Sequence, residues 1–239
     1  SKKFKGGILL KKKPFTSVII TAGGNGRRMD STKNKLLIKL GDKTIIEMTL
    51  SAFDKAKTVD EIIVAIPEIE KKVFEDIITN TVKNKILKIT IGGECRELSV
   101  KNGIEIINKS AEFVAVHDAA RPLITPEEID EINETAYISG NICCGTEVKN
   151  TIKKIDKNGN ISKTLKREFL FSASTPQIFK KEDIYYAFNK FSEKLSEFTD
   201  DASVVEAAGF KVKIFYCNER NIKITTQSDI KLAEKFLNI

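Results

Sequence analysis

An apolar run, Ser17-Val18-Ile19-Ile20, leads into Thr21-Ala22-Gly23-Gly24-Asn25-Gly26-Arg27-Arg28-Met29. Glycine admits positive φ and lets the backbone come close to a ligand. Backbone N–H groups of such a loop can turn inward and hold phosphate oxygens. Arg27, Arg28, Lys33 and Lys35 put positive charge just beyond it. Two readings are open: an ordinary glycine turn before a solvated basic segment, or a triphosphate site. Two better-known phosphate loops are excluded. The spacing Gly-x-x-x-x-Gly-Lys-Ser/Thr does not occur. Gly24-x-Gly26 lacks the third glycine of the dinucleotide fingerprint, having Arg27-Arg28-Met29 instead.

Two further polar clusters end apolar runs. Gly92-Gly93 is followed by Arg96 and Ser99. Such a glycine pair suits close approach to a base or ribose, or else is a plain tight turn. His117-Asp118-Ala119-Ala120-Arg121-Pro122 closes the run Phe113–Val116. Asp118 is a natural Mg²⁺ ligand there, because Mg²⁺ takes one or two carboxylates plus substrate phosphates. A carboxylate at a helix start is the alternative. His117 is the only histidine. At the end of an apolar strand a structural role suits it better than proton transfer.

Elements must hold these clusters together. Val18, Ile19 and Ile20 are β-branched and read as a buried strand. Thr44 and Glu47 form a capping box, followed by Ile46, Leu50 and Phe53 on one helical face. Strands at 61–66, 86–91, 113–116 and 141–148 alternate with helices through Val73–Ile78, Arg96–Asn108 and from Thr125-Pro126 onward. That alternation predicts a mostly parallel sheet with right-handed crossovers. Ligands of such sheets bind outside the carboxyl ends of the strands, where the clusters fall. The rhythm breaks after Val148. Residues 150–171, with the hairpin dipeptide Asn158-Gly159, read as a protruding β-arm ended by Thr175-Pro176-Gln177. Helices around 183–191, from Thr199 to Gly209 and at 228–237, and a strand at 211–216, complete the chain.

The first loop carries the signature of the sugar-nucleotide pyrophosphorylases and cytidylyltransferases, with Lys35 where their lysine belongs. The ordered set of runs resembles one family more closely, the 2-C-methyl-D-erythritol 4-phosphate cytidylyltransferases. The runs are Ala22–Met29, Gly92-Gly93-x-x-Arg96-x-x-Ser99-Val100, Val116–Pro122, Thr175-Pro176-Gln177, Thr199-Asp200-Asp201-Ala202-Ser203 and Asn221-Ile222-Lys223-Ile224-Thr225. The resemblance covers about Ser17 to the end. It implies a Rossmann-like α/β sheet with helices on both faces and a β-arm for dimerisation. It also implies transfer of CMP from CTP to a polyol phosphate, with Mg²⁺ as cofactor, in the non-mevalonate isoprenoid pathway. By that resemblance Arg28, Lys35 and Lys223 are catalytic and Asp118 holds the metal. Ala22, Gly23, Gly93 and Ser99 frame the cytidine moiety, and Gly24, Gly26 and Ala119 are further substrate-binding residues. Arg121, Thr151, Arg167, Thr175 and Thr199 contact the polyol phosphate, Thr151 and Arg167 from an arm that crosses to a second subunit. A ribitol 5-phosphate cytidylyltransferase would share the fold, loop and metal. The runs His117–Arg121 and Thr199–Ser203 favour methylerythritol phosphate. One departure stands out: where the family has Pro-Lys-Gln, this chain has Asn34-Lys35-Leu36. The lysine is kept and the glutamine is not, so the first helix of the site is expected to sit slightly differently.

Composition bounds the rest. The chain has 239 residues, 41% hydrophobic, ample for one domain. The net charge is +7, but the six lysines among the first thirteen residues carry +6 of it. A body left at +1 has no large basic face by composition, which argues against a nucleic-acid partner. Residues 1–16 read as a disordered basic extension and 17–239 as one domain. No apolar run approaches the roughly 18–20 residues that cross a membrane. Cys95, Cys143, Cys144 and Cys217 lack metal spacing and read as free thiols of a cytoplasmic protein.

Overall fold

A computed structural model describes residues 12–23 and 34–239. Strand β1 (Thr16–Thr21) sends Val18 and Ile20 into one apolar core and Ile19 into another. This period of two is what a strand buried on both faces requires. A small hairpin follows, β2 (Lys39–Leu40) and β3 (Lys43–Thr44), turning at Gly41 with φ +63°. Helix α1 (Ile45–Lys55) starts at the expected capping box. The Glu47 carboxylate accepts the Thr44 N–H at 2.7 Å, and Thr44 Oγ1 accepts the Glu47 N–H at 3.3 Å. The alternation then runs β4 (Glu61–Ile66), α2 (Lys71–Thr81), β5 (Ile86–Ile91), α3 (Arg96–Glu105), β6 (Phe113–Asp118), α4 (Pro126–Ser139) and β7 (Ile142–Glu147). The arm is β8 (Lys153–Ile155) with β9 (Ile161–Thr164). After it come β10 (Phe171–Lys180), α5 (Lys181–Lys190), α6 (Asp201–Ala207), β11 (Lys213–Tyr216) and α7 (Gln227–Leu237).

Seven strands form one sheet in the order β11-β7-β10-β6-β1-β4-β5. Only β10 runs antiparallel to its neighbours. One face is covered by α1, α2, α4 and α7, through side chains such as Phe53, Phe74, Ile129 and Ile230. The other is covered by α3, α5 and α6, through Val100, Phe188 and Val204. The chain steps outward from β1 to β4 and β5, then returns to the far side of β1 as β6. The sheet therefore has its switch point at β1, where a crevice opens beyond the carboxyl ends. Thr21 and Asp118 face each other across it in register.

Three sequence expectations change. β10 is a full ten-residue strand in the middle of the sheet, where the sequence suggested only the end of an arm. Pro176 hides it, since a proline cannot donate to a ladder. The pairing with β7 accommodates it by a register shift between Ala173 and Gln177. Phe171 accordingly belongs to the sheet and not to the arm. The basic extension also stops earlier than residue 16. Lys13 pairs with Asp60 at 2.6 Å, the Phe15 carbonyl accepts from Glu112 N–H, and Thr16 is buried in β1.

Candidate active site

Asp118 sits at the end of β6, 5% exposed, and three cations close on its carboxylate. Arg96 Nε reaches Oδ1 at 2.9 Å, and Lys223 Nζ reaches Oδ2 at 2.9 Å. Arg121 Nε lies 3.3 Å from Oδ2. Burial alone would raise this carboxyl's pKa. Arg96, then Lys223 and Arg121, overcome that and hold it well below the usual carboxylate range. Each cation comes from a different part of the chain. Arg96 opens α3, Arg121 is in the turn after β6, and Lys223 is on the extended segment before α7. The backbone of that segment is tied in by two bonds. Arg121 Nη1 donates to the Asn221 carbonyl at 2.9 Å, and the Ile224 N–H donates to the Ala120 carbonyl at 2.8 Å.

Arg96 also grips Asp201 with both guanidinium ends, at 3.0 and 2.8 Å. Asp201 is fully buried, and burial pushes its carboxyl up against the pull of Arg96. One guanidinium thus ties β6 to the first turn of α6 (Asp201–Ala207), where Asp200 accepts the Ser203 N–H. The sequence reading placed Arg96 and Asp201 in its runs but gave them no role. The signal was the paired Asp200-Asp201: one aspartate caps the helix, so the buried second one needs a cation.

Lys35 lies near this cluster, its Nζ donating to the Ile224 carbonyl at 3.0 Å, one residue from Lys223. Leu36, in place of glutamine, is 3% exposed in the apolar core, and its N–H is held by Asn34 Oδ1. A second patch lies beside the first. Gly23 and Gly92 approach so closely that a Cβ on Gly23 would stand 3.3 Å from Gly92 Cα. Ser99 Oγ accepts the Gly93 N–H at 3.0 Å and donates to the Cys95 carbonyl. Ala22 N–H donates to the Ala65 carbonyl at 2.8 Å. Ala119 is buried, its N–H on Thr21 and its carbonyl on Thr49 Oγ1. Thr175, on β10, reaches the Asp118 N–H with its hydroxyl.

The structure therefore brings together Ala22, Gly23, Lys35, Gly93, Ser99, Asp118, Ala119, Arg121, Thr175 and Lys223 around the carboxyl ends of β1, β5 and β6. Thr199 is exposed, one residue before the α6 cap. Thr151 and Arg167 are exposed on the arm, where Arg167 Nη1 donates to the Lys149 carbonyl at 2.7 Å. Gly24, Gly26 and Arg28 lie outside the described residues. Among the described residues, no group of three or more His, Cys, Asp or Glu side chains could hold a metal. A single strand-end carboxylate fits an ion held mainly by substrate phosphates, as Mg²⁺ is, with Lys223 the flexible cation to give way. Cys143 and Cys144 are buried, while Cys95 and Cys217 are half-buried. No helix of the described residues is long and apolar enough to cross a membrane.

An open, mostly parallel α/β sheet with Gly23, Gly92, Gly93 and three cations gathered at the carboxyl ends of its strands has the architecture of the nucleotide-binding α/β class. The particular kind follows from comparison with known proteins. The model of the family IspD, 2-C-methyl-D-erythritol 4-phosphate cytidylyltransferase, matches residues 16–239, and the chain belongs to this family. A relative of that name from Caldanaerobacter subterraneus subsp. tengcongensis is 40% identical over 222 residues, covering 92% of this chain and 98% of that one. Another from Alkaliphilus metalliredigens is 37% identical over 223 residues, covering 93% and 92%. The solved 4-diphosphocytidyl-2C-methyl-D-erythritol synthase of Anaerococcus prevotii superposes with a TM-score of 0.82 at 30% identity, covering 95% of this chain and 97% of that one. The Francisella tularensis cytidylyltransferase gives 0.77 at 30%, covering 92% and 99%.

Proposed function

We propose that the chain transfers the cytidylyl group of CTP to 2-C-methyl-D-erythritol 4-phosphate, in isoprenoid biosynthesis. The observation that carries this is family membership across residues 16–239, supported by Lys35, Asp118, Arg121 and Lys223 lying at one crevice. An oxygen of the alcohol's phosphate attacks the α-phosphorus of CTP. The bond from that phosphorus to the β-phosphate's bridging oxygen breaks, and pyrophosphate leaves with the electron pair. The protein's part is positioning and charge. Lys35 and Arg28 neutralise the triphosphate as charge shifts at phosphorus. Lys223 supports the alcohol's phosphate or the transition state, and Asp118 holds Arg121 at the crevice. The Gly23–Gly92 contact and Ser99 give the cytidine a close-fitting backbone wall. Mg²⁺, when bound through Asp118 and the phosphates, supplies further neutralisation of the triphosphate.

The working unit is a homodimer. The arm leaves Ile155, Ile161 and Phe169 between 62% and 79% exposed, and an isolated two-stranded ribbon is marginal in water. A twofold partner covers it and brings Arg167 and Thr151 to the neighbouring alcohol phosphate. The enzyme works in the cytoplasm, where its four free thiols stay reduced. Phosphorus NMR of CTP, methylerythritol phosphate and Mg²⁺ with the protein tests the reading. The expected products are pyrophosphate and a cytidine diphosphate diester, and chelation of Mg²⁺ should stop both. Hydrolysis of CTP to CMP without the diester would overturn it.

A further inference from the structure

Lys35 sits in a single 3₁₀ turn, Lys35–Leu37. The turn is closed by the Leu37 N–H on the Asn34 carbonyl at 3.0 Å and the Ile38 N–H on the Lys35 carbonyl at 3.1 Å. So short a turn does not hold itself in place. Yet its lysine reaches across the crevice to the Ile224 carbonyl, 189 residues further on. The side chain before it supplies the support. Asn34 is 9% exposed, and its amide is used at both ends. Oδ1 accepts the Leu36 N–H at 3.1 Å, which caps the turn. Nδ2 donates to Glu70 Oε2 at 2.6 Å. The amide's orientation is fixed by its partners, because a backbone N–H can only donate and an ionised carboxylate can only accept. Glu70 is half-buried and ends the short turn Glu68–Glu70 between β4 and α2. We propose that Asn34 and Glu70 are positioning residues: the Glu70 carboxylate grips the Asn34 amide, which holds the Lys35 turn at the crevice.

The chain's departure from the family at this turn fits the brace. Asn34 has φ −61° and ψ 125°, and a proline ring would hold φ at about −65° by covalent geometry. Asparagine has no ring to do this, so its side-chain bonds do the fixing. Leu36, where the family has glutamine, is buried in the core and anchors the turn from the other side. The amide has in effect moved from the residue after the lysine to the residue before it. A hydrogen bond to a carboxylate is shorter and stronger than one between neutral groups, and 2.6 Å is at the short end. The brace also gives Lys35 a fixed reference. Glu70 follows β4, which pairs with β1 with Ala65 opposite Thr21, and the Ala65 carbonyl accepts the Ala22 N–H. Lys35 is thereby set against the same strands that carry Ala22 and Gly23. Without the brace the lysine is still present but less often in place as charge reorganises at phosphorus, so kcat should fall more than CTP binding. That kinetic consequence rests on the proposed function; the brace itself does not.

The first test needs no substrate. Hydrogen exchange of the Leu36 amide is followed by NMR in the full chain. Glu70→Ala removes the acceptor and should speed that exchange about tenfold or more, while Glu70→Gln keeps an acceptor and should stay within about twofold of wild type. Unchanged exchange in Glu70→Ala overturns the proposal. Kinetics give the second arm. Glu70→Ala should lower kcat about tenfold with KM for CTP within about twofold, and Glu70→Gln should recover most of that loss. The same Glu70→Ala change made in a Lys35→Ala chain should cost nothing further, because no lysine remains to be placed. An equal fall in kcat with and without Lys35 would mean a general structural role and overturn the proposal. If Glu70→Ala does not fold, Glu70→Leu, which fills the space and cannot accept, takes its place in both arms. Fast Leu36 exchange in the variant, together with a wild type that turns over no substrate, would refute the proposed function and leave the brace standing.

Discussion

Asp118 is the residue on which the site's charges balance. Three cations close on one carboxylate, so its removal leaves them crowded in the crevice without it. Asp118→Asn should cost about 3 kcal/mol or more, the usual penalty for breaking a buried pair from one side. The sign with pH follows from the depressed carboxyl. Its stabilisation is complete above the ordinary carboxylate value of about 4 and fades as pH falls below it. Thermal melts of wild type and variant should therefore differ at pH 7 and converge in acid; a constant difference would contradict the ion-pair account. Lys35→Ala and Arg28→Ala should lower kcat more than they raise KM, because their charges matter most as charge reorganises at phosphorus. A folded double variant with near-normal kcat would remove both from the chemistry. At this scale the strand-end residues were legible, since polar residues after apolar runs mark a parallel sheet's ligand end. The Arg96–Asp201 pair was not, because 105 residues separate its ends and only the fold joins them.

At the scale of elements, the glycines that begin and follow strands set how near the backbone can come. A Cβ on Gly93 would stand 2.4 Å from Leu98 Cβ at the head of α3. Gly93→Ala should then cost about 2 kcal/mol, roughly 4–8 °C in Tm, and weaken CTP binding more than alcohol phosphate binding. Calorimetric titration with each ligand checks the split; equal weakening would place the loop outside the nucleotide wall. The capping box at Thr44 and the cap at Thr125 were readable because local chemistry alone makes them. β10 was not readable. Its proline breaks the strand signal, and its pairing partners β6 and β7 lie far back in the sequence. The β2–β3 hairpin escaped notice because each strand has only two residues.

The whole molecule is proposed to complete each site with a neighbour's arm. Arg167→Ala should then weaken methylerythritol phosphate binding and leave CTP binding nearly intact. Mixing it with a Lys35→Ala chain makes dimers with one doubly defective site and one intact site, so activity should return in proportion to random mixing. A monomer in sedimentation, or no recovery from an exchanging mixture, would refute the shared site. The central claim, however, is the choice of acceptor, and a direct competition decides it. With CTP and Mg²⁺ held fixed, kcat/KM is measured for 2-C-methyl-D-erythritol 4-phosphate and for ribitol 5-phosphate by pyrophosphate release. The account predicts turnover of the methylerythritol substrate with a clear preference over ribitol phosphate, by about a hundredfold or more. Equal or better use of ribitol phosphate would contradict it.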